Sequence, residues 1–582
     1  MNSIRTTLSS RSVAAAVLAA SAILGACSTG STGRSTTADA NFSEGQAGAG
    51  TPPVDGARLY PGFDNYTRVT TTVAPAARPF LDQAMQWLYG FNDDEAVRSF
   101  RRAAELDPDC AFAWWGVAYA NGINVNDPVM SERESRDAHE AIERAMALRQ
   151  QASPVDRALI EALAHRYEWP PPDDQRRLEQ AYSTAMAAVW RAHPKDADVG
   201  ALYAESLMNL QPWSYWTRDG VPKGKATEIV AVLERAMELD PRHPGALHYY
   251  IHAVEASKDP ARAEQAADRL RQLVPGSSHL THMPSHIYSR IGRYGDAADA
   301  NTRAVAADRS YLAIAPEQDY YGLYIAHNLH FLAYAAMMEG RFQTALEAAS
   351  GLDTQVPVTF MARYPSIADG WAAAVPHVLV RFGKWHDILA LPDYAEARHV
   401  SRTMRRYARS IANSALGRTD AARAEMTAFE REAAAVPVDW TIGFNPAHAV
   451  FPLARKMMQG ELSFREGDHD LAFQSLREAV ALEDELIYDE PPSWLQPVRH
   501  ALGALLMAAG RYAEAERVYQ EDLEHNPSNG WSLLGLEKAR RMQGEADGLD
   551  DLARQRAKSW ARADVTPTSS CYCEPGAVDL RR

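Results

Sequence analysis

Cysteine is rare in this chain, with four copies among 582 residues. That number excludes a small disulfide-stabilised scaffold, in which cysteines replace a hydrophobic core. With 46% hydrophobic residues, the chain can instead bury several cores or one long one. Besides Cys27 near the N-terminus, only Cys110, Cys571 and Cys573 are present, and three cysteines allow at most one disulfide within the chain. A Cys571–Cys573 bridge would close a small, strained ring.

The chain also lacks an excess of positive charge. Its 60 basic residues face 75 acidic ones, which gives a formal net charge of −15. A surface with this balance repels the phosphates of nucleic acids and the head groups of anionic lipids. We therefore predict no nucleic-acid partner.

The N-terminal apolar run, residues 13–24, is too short to span a membrane. Arg5 and Arg11 precede it and small residues follow, the pattern of an export signal. Residues 24–27, Leu-Gly-Ala-Cys, resemble the lipobox of bacterial lipoproteins. This resemblance implies cleavage after a signal peptide of residues 1–26 and acylation of Cys27. An ordinary secreted protein with a chance cysteine is the alternative.

The segment after the signal is rich in Ser, Thr, Gly, Ala and Pro and has no apolar period. We predict that residues 27–75 form a flexible tether between a membrane anchor and the folded body. Ser28 is compatible with sorting of a lipoprotein to the outer membrane. The expected location is the bacterial cell envelope, on the outer membrane and facing the periplasm.

From about Arg78 onward, no stretch shows the convincing apolar and polar alternation of a strand. The pattern is amphipathic helix, short turn, amphipathic helix, which predicts an all-α fold. A glycine marks most turns, because glycine has the backbone freedom to end one helix and begin the next. The clearest copies are Gly292-Arg293-Tyr294, Gly340-Arg341-Phe342, Gly383-Lys384-Trp385 and Gly510-Arg511-Tyr512, and looser copies begin at Gly90, Gly417, Gly467 and Gly544.

Two further features recur with these turns. Second helices tend to end in Leu-Asp-Pro or a similar triplet, and the spacing from Pro241 to Pro275 is 34 residues, as is that from Gly510 to Gly544. A small residue five positions after the turn glycine lets the two helices approach closely, and it is alanine at Ala297, Ala345, Ala422, Ala472 and Ala515.

A helix-turn-helix unit of 34 residues with these features resembles the tetratricopeptide repeat (TPR). The resemblance is most specific over residues 240–310 and 490–548. It implies a right-handed α-solenoid, a superhelix of stacked helix pairs, over residues 76–562, with a C-terminal tail over residues 563–582. It also implies that the first helices of the units line a concave groove that binds a partner protein or peptide.

Histidines are concentrated between His243 and His330, which hold eight of the eighteen in the chain. Measured from the turn glycines, seven of these eight, together with His377 and His500, fall at three equivalent positions of the first helices, and the resemblance implies that these positions face the groove. Neighbouring helix axes lie about 8–10 Å apart, so opposed histidines can share a ligand. The three columns contain His248, His282, His330 and His500; His252, His286 and His377; and His279 and His327.

Three interpretations of the columns stay open. The histidines are solvated copies of a repeated position, or they contact a bound partner segment together with nearby tyrosines, or they form a metal centre. The metal centre would bind Zn or Cu, with Glu255 as a further ligand or a base on the face of its helix. Its histidines would be His248, His252, His282 and His286, with help from His279 or the pair His327 and His330.

The tail carries a separate candidate site. Two thiolates one residue apart, at Cys571 and Cys573, suit a soft metal such as Cu(I) or a redox pair. The alternative is that one of them bridges to Cys110, or that the tail is simply oxidised.

No catalytic signature accompanies these residues. Tyr249 follows His248, so the His-Glu-x-x-His pattern is missing, and no Gly-x-Ser-x-Gly occurs. Residues 220–226 are one residue short of a phosphate loop and follow no strand. We therefore predict a non-enzymatic binding or scaffold protein with a partner protein or peptide in its groove, or alternatively a metal-binding protein. A metal-dependent hydrolase with Glu255 as general base is the third hypothesis.

Overall fold

The computed structural model describes residues 56–315 and 320–579. Regular structure in these ranges is almost entirely α-helical, so the all-α prediction is confirmed. The predicted signal peptide, Cys27 and the first part of the predicted tether lie outside the described residues. Within the described ranges, no helix has both the length and the apolar composition needed to cross a membrane.

The chain divides into two compact units. The first includes residues up to Tyr215 and Lys223–Tyr249, and its helices follow one another with short connections. Their bounds are α1 Arg78–Tyr89, α2 Asp93–Leu106, α3 Ala111–Ala120, α4 Glu132–Leu148, the 3₁₀ turn Arg149–Gln151, α5 Pro154–Leu163, α6 Arg176–Ala192, α7 Ala197–Met208, α8 Ala226–Leu239 and α9 Pro244–Val254, of which the last part belongs to the second unit.

The second unit contains Trp216–Pro222 and the residues from Tyr250 onward. Its one two-stranded antiparallel sheet among the described residues joins β1 Thr441–Ile442 and β2 Asn445–Pro446. Its helical elements are the 3₁₀ turn Pro260–Ala263, α10 Glu264–Leu270, α11 Ser278–His282, α12 Pro284–Arg290, α13 Tyr294–Ile314, α14 Gly322–Met338, α15 Phe342–Thr354, α16 Val358–Arg363, α17 Pro365–Ala372, α18 Ala374–Arg381, α19 Trp385–Ala390, α20 His399–Ala415, α21 Thr419–Ala435, α22 Ala447–Glu466, α23 His469–Asp484, α24 Val498–Ala508, α25 Tyr512–His525, α26 Gly530–Met542 and α27 Leu549–Ser559.

Within each unit, helices pack chiefly against their neighbours in sequence, which is the contact pattern of an α-solenoid. In the second unit, α22 packs on α23 and α20 on α21. Long-range contacts also join the segment after α27 to the turn between α14 and α15. The Asp564 amide donates to the Gly340 carbonyl, and Arg562 pairs with Glu339. The second unit is therefore held together by more than nearest-neighbour contacts.

The predicted turn chemistry is present in the structure. Seven of the eight turn glycines have a left-handed backbone, as at Gly292 with φ 78° and Gly510 with φ 74°. At Gly90 the prediction was wrong in detail, because Phe91 adopts the left-handed conformation with φ 54°. The alanines five positions after the glycines, where predicted, are fully buried between helices.

Glycine also admits an aromatic ring at the best-matching repeat. A Cβ atom at Gly503 would lie 2.5 Å from the Tyr519 ring, and one at Gly535 would lie 2.2 Å from it. The ring is buried between these two glycines. A large side chain can therefore fill the space between three helices only because two of them lack a side chain there.

The tether was predicted to extend to residue 75, but residues 56–75 contact the first unit. Tyr60 donates from its hydroxyl to Glu95 over 2.9 Å, and Phe63 and Tyr66 are buried. Arg68 has a fully buried side chain, with Nη2 2.8 Å from the Asp156 carboxylate. Aromatic rings and a paired guanidinium give this segment enough buried contacts to order it, despite its loop-like composition.

The tail was predicted to lie beyond the solenoid, but its described part, residues 563–579, contributes to the core of the second unit. Cys571 and Cys573 form a disulfide, and Cys573 is fully buried. Cys110 is a free, buried thiol in the first unit. The alternative of a bridge from the tail to Cys110 was therefore wrong.

The backbone strain at a turn glycine is testable at Gly510. An added Cβ there meets no atom within 4 Å, so Gly510→Ala should cost only the left-handed conformation, about 1 kcal/mol of unfolding free energy. Asparagine tolerates that conformation better, so Gly510→Asn should cost less. Urea unfolding followed by circular dichroism measures both, and equal losses for the two variants would contradict the conformational explanation.

Candidate metal centre

Two short helices bring His282 and His286 onto one face. The Ser277 hydroxyl accepts from the Leu280 amide at the start of α11, and Pro284 begins α12 immediately after α11 ends. Met283 between them keeps a helical backbone, so His282 and His286 lie one turn apart. Helix α14, which packs against α11, supplies His327.

The Nε2 atoms of these three histidines converge. Nε2 of His282 lies 2.8 Å from Nε2 of His286, and Nε2 of His327 lies 3.5 Å from the same atom. His282 and His286 are buried, and His327 is half-buried. We call the three residues the histidine triad.

The opposite nitrogens of two triad rings face hydrogen-bond acceptors. Nδ1 of His282 lies 2.6 Å from Oδ1 of Asn301. The amide nitrogen of Asn301 donates to the Ala297 carbonyl, so its oxygen is the atom that faces His282. Nδ1 of His286 lies 2.5 Å from a Glu255 oxygen. Both rings must therefore carry a proton on Nδ1, which leaves Nε2 with a lone pair in the neutral imidazole.

Two facing lone pairs at 2.8 Å repel each other unless a cation lies between them. A proton carried by His286 can fill this role, since the protonated ring donates from Nε2 to His282. A metal ion can fill it too, and it would then also reach Nε2 of His327. The geometry of the triad therefore favours a cation, either a proton or a metal ion, between the Nε2 atoms.

Two carboxylates lie behind His286. Glu255 contacts its Nδ1, and Glu490 places an oxygen 3.0 Å from the same nitrogen. Burial raises the pKa of the Glu490 carboxyl to about 7. Burial also opposes the charge on Glu255, but the positive charges of His286 and His252 and their hydrogen bonds lower its pKa to about 2. The ionised Glu255 carboxylate therefore places a negative charge next to His286, on the side of the ring away from the other two histidines.

The three rings differ in their affinity for protons. Burial lowers the pKa of His286, but the Glu255 charge and hydrogen bond outweigh burial and raise it to about 10. Burial and the charge of His286 hold the pKa of His282 well below its usual range. Burial, with the charges of His282 and His286, does the same at His327. Neutral His282 and His327 thus keep their lone pairs available at neutral pH.

Other predicted residues surround this group in the second unit. His252 lies 3.1 Å from Glu255 through its Nδ1. The His279 ring stacks 5.9 Å from that of His282 and contacts Tyr324. These residues line the triad and its carboxylates.

The remaining column histidines lie elsewhere. His330 stacks on Trp371 and His377 contacts Trp494, and burial lowers their pKa values to about 3 and about 4. His500 contacts the Asp522 carboxylate over 2.9 Å. Histidines at equivalent positions of the repeat thus have different surroundings.

His248 and His243 belong to the first unit. Nδ1 of His248 lies 2.6 Å from the Tyr89 carbonyl oxygen. His243 is a donor to Asp198 over 2.9 Å, a residue that also accepts from the hydroxyl of Tyr89. Neither contact involves the triad.

The column residues were expected to line an open groove, but eight of the nine are buried, with 4% or less of their surface exposed. Only His327 is half-buried. These imidazoles occupy positions in the helix interfaces where apolar side chains would be expected. They can be buried there because several of the rings contact a carboxylate, an amide or an aromatic ring. Of the three interpretations, the one with solvated histidines disagrees with this burial.

Two contributors were missed from the sequence. Glu490 lies in the connection between α23 and α24, where no periodic pattern marks it. Asn301 lies four residues after Ala297 and so on the same buried face of α13. A polar residue at that apolar position was a signal that could have identified Asn301.

No protein-family model matches this chain, and no curated protein matches it. Among solved structures, the human IFIT1 dimer with m7Gppp-AAAA is 10% identical over 84% of this chain and 96% of that chain, with a TM-score of 0.30. The APC/C hetero-tetramer Cut9-Hcn1 is 12% identical over 86% and 76%, with a TM-score of 0.26. Yeast Tom70 is 13% identical over 82% and 91%, with a TM-score of 0.26.

These similarities are too weak to carry a conclusion about this chain. Its left-handed turn glycines, buried alanines and neighbour packing are those of an all-α solenoid of stacked helix pairs. The absence of a nucleic-acid partner stays a prediction from net charge.

The raised pKa of His286 predicts how the stability of the protein, kept metal-free by a chelator, changes with pH. A cationic group whose folded pKa rises from 6.5 to about 10 contributes stability that is fully present below pH 6.5 and is lost as the pH rises toward 10. Relative to His286→Gln, the wild-type unfolding free energy should fall by roughly 1.4 kcal/mol per pH unit between about pH 7.5 and 9.

Urea unfolding of both proteins at each pH gives this difference. His525→Gln, at an exposed histidine of α25, is the matched control and should track the wild type. A difference between wild type and His286→Gln that stays constant with pH would contradict the raised pKa.

Proposed function

We propose that this protein is a helical-repeat metal-binding protein whose second unit holds one divalent zinc or copper ion at His282, His286 and His327. The observation that carries the proposal is the convergence of three Nε2 atoms, two of them on rings whose Nδ1 atoms face an acceptor. Three neutral imidazoles with an open fourth position are a common zinc ligand set, and the metal would have to displace the proton of His286 to complete it.

The surroundings of the triad support a metal ion. Histidine ligands usually donate their other ring nitrogen to a carboxylate or carbonyl, which fixes the ring and raises its basicity. Glu255 and Glu490 supply this contact to His286, and Asn301 supplies it to His282. The two carboxylates also offset the charge of a buried divalent ion.

The spacing of the nitrogens is close to that of a coordination site. Tetrahedral zinc with Zn–N bonds of about 2.0–2.1 Å separates its ligand nitrogens by roughly 3.3 Å. The 3.5 Å between His286 and His327 matches this value, and the 2.8 Å between His282 and His286 requires their rings to part by about half an ångström. Rotation about the side-chain torsions is enough for that movement.

The proposed ligand set differs from the one predicted from the sequence. His282 and His286 are common to both, and His327, first considered as an auxiliary, becomes a ligand. Glu255 acts from behind His286, so the proposal gives it no role as ligand or general base.

Binding of a partner protein remains a proposal for this repeat architecture. Burial of the column histidines argues against their direct contact with a partner segment. A partner would instead contact other side chains of the helical surface.

We further propose that the protein is anchored in the bacterial envelope through acylated Cys27. The apolar run and the lipobox-like residues 24–27 support this location. The metal centre would then bind metal ions from the periplasm.

Metal content tests the main proposal directly. The full chain, purified without an affinity tag and reloaded with Zn or Cu, should bind about one equivalent, as the single triad requires. His282→Ala and His327→Ala should each reduce bound metal strongly, because each removes one of three ligands. Elemental analysis after gel filtration measures the stoichiometry.

His525→Ala serves as the control, since this exposed histidine lies outside the triad. Its metal content should equal that of the wild type. Less than about a tenth of an equivalent in the reloaded wild type would overturn the metal proposal.

The anchor is tested by metabolic labelling with a palmitate analogue in a bacterial host. Wild type should carry the label and sediment with membranes, whereas Cys27→Ser should lose both properties because acylation needs the thiol. Cys571→Ser, which leaves Cys27 intact, should stay labelled. Labelled Cys27→Ser protein would argue against the lipobox interpretation.

A further inference from the structure

The disulfide of the tail is held tightly in the second unit. The Ser570 hydroxyl lies 2.7 Å from the Tyr519 hydroxyl and 2.9 Å from the His500 carbonyl oxygen. Arg465 of α22 donates to the Cys573 carbonyl over 2.5 Å. The two cysteines are therefore fixed relative to α22.

The two sulfurs differ in access. Cys573 is fully buried, whereas Cys571 is partly exposed. Because Cys571 is the less buried residue, we expect an external thiol to attack its sulfur, and the Cys573 sulfur is then the leaving group.

A buried carboxyl group lies beside the disulfide. A Glu461 oxygen and the sulfurs of Cys571 and Cys573 all lie within 4.8 Å of one another. Glu461 is 2% exposed, and its Oε2 has no hydrogen-bond partner among the described residues. An unsatisfied buried carboxyl oxygen is costly, so its position beside a reducible bond calls for a functional reason.

We propose that Cys571 and Cys573 form a redox-active disulfide that exchanges with an external dithiol, with Glu461 supplying the proton to the Cys573 sulfur. This site is independent of the proposed metal centre.

The exchange moves two electrons and two protons. A thiolate of the dithiol attacks the Cys571 sulfur, the Cys571–Cys573 bond breaks, and the Cys573 sulfur leaves as a thiolate that takes the Glu461 proton. The second thiolate of the dithiol then attacks the first sulfur of the dithiol, releasing Cys571 as a thiolate that solvent protonates. The products are two protein thiols and the oxidised dithiol, and solvent returns a proton to Glu461.

The charges around Glu461 suit a proton donor. Burial raises the pKa of its carboxyl to about 7, and Arg465 on the same helix opposes this shift. Tyr407 of α20 is the other titratable group that senses the Glu461 charge, and burial holds its pKa well above the usual value, so it stays neutral. The carboxyl therefore retains a proton over a wider pH range than an exposed glutamate.

The test uses the oxidised full chain and dithiothreitol at pH 7 under anaerobic conditions. Samples are quenched with N-ethylmaleimide, and mass spectrometry counts the alkylated cysteines of the tail over time. We expect the native wild type to gain two labels, and Glu461→Gln to do so at least about tenfold more slowly, because general acid catalysis is lost. Glu478→Gln, at a glutamate of α23 whose side chain is 41% exposed, should react at the wild-type rate.

Equal rates for wild type and Glu461→Gln would overturn the role of Glu461. A disulfide that opens only when the protein is unfolded would overturn the proposal as a whole. Circular dichroism shows whether Glu461→Gln keeps its fold, and the pH profile provides a second measurement. The ratio of wild-type to Glu461→Gln rates should decrease above about pH 7 as Glu461 loses its proton, whereas a ratio independent of pH would contradict the proton transfer.

Discussion

The candidate site of the second unit depends on one buried, charged imidazole, that of His286, which lies between carboxylates on one side and neutral imidazoles on the other. His286 faces carboxylates with one nitrogen and lone pairs with the other. A buried charge is tolerated only when it is paired and hydrogen-bonded, so Glu255, Glu490, His282 and the helices that carry them must keep their positions. The short helices α11 and α12 carry His282 and His286, so their positions are tied to this buried charge.

The turns of the helix pairs were the most predictable part of the fold. A left-handed backbone favours glycine, and a close helix contact favours alanine, so both preferences are visible in the sequence at a fixed spacing. Gly292 and Ala297 illustrate the two cases. The spacing of four residues placed His282 and His286 on one helix face, whereas His327 belongs to a different column, and its approach depends on the packing of α14 against α11.

Of the groups that support the triad, Glu255 was identified from the sequence, but Glu490 and Asn301 were missed. Glu490 lies in a connection whose position depends on distant packing, and no local pattern encodes it. The burial of the histidines was equally hidden, since imidazole suits both solvent and a hydrogen-bonded interior. For residues 56–75, composition indicated a tether, but a few aromatic rings and Arg68 were enough to fix them.

The contacts of the segment around Arg562 to Ser570 have a consequence for the order of folding. Arg562 pairs with Asp299, 263 residues earlier, and Arg381 donates to the Ser570 carbonyl across 189 residues. Ideal repeat arrays fold from local contacts and can grow unit by unit as the ribosome delivers them. Here the helices between α13 and α18 emerge long before the residues that cover them. The apolar and charged surfaces of these helices stay uncovered until most of the second unit has been synthesised. We therefore expect the nascent chain to bind a chaperone.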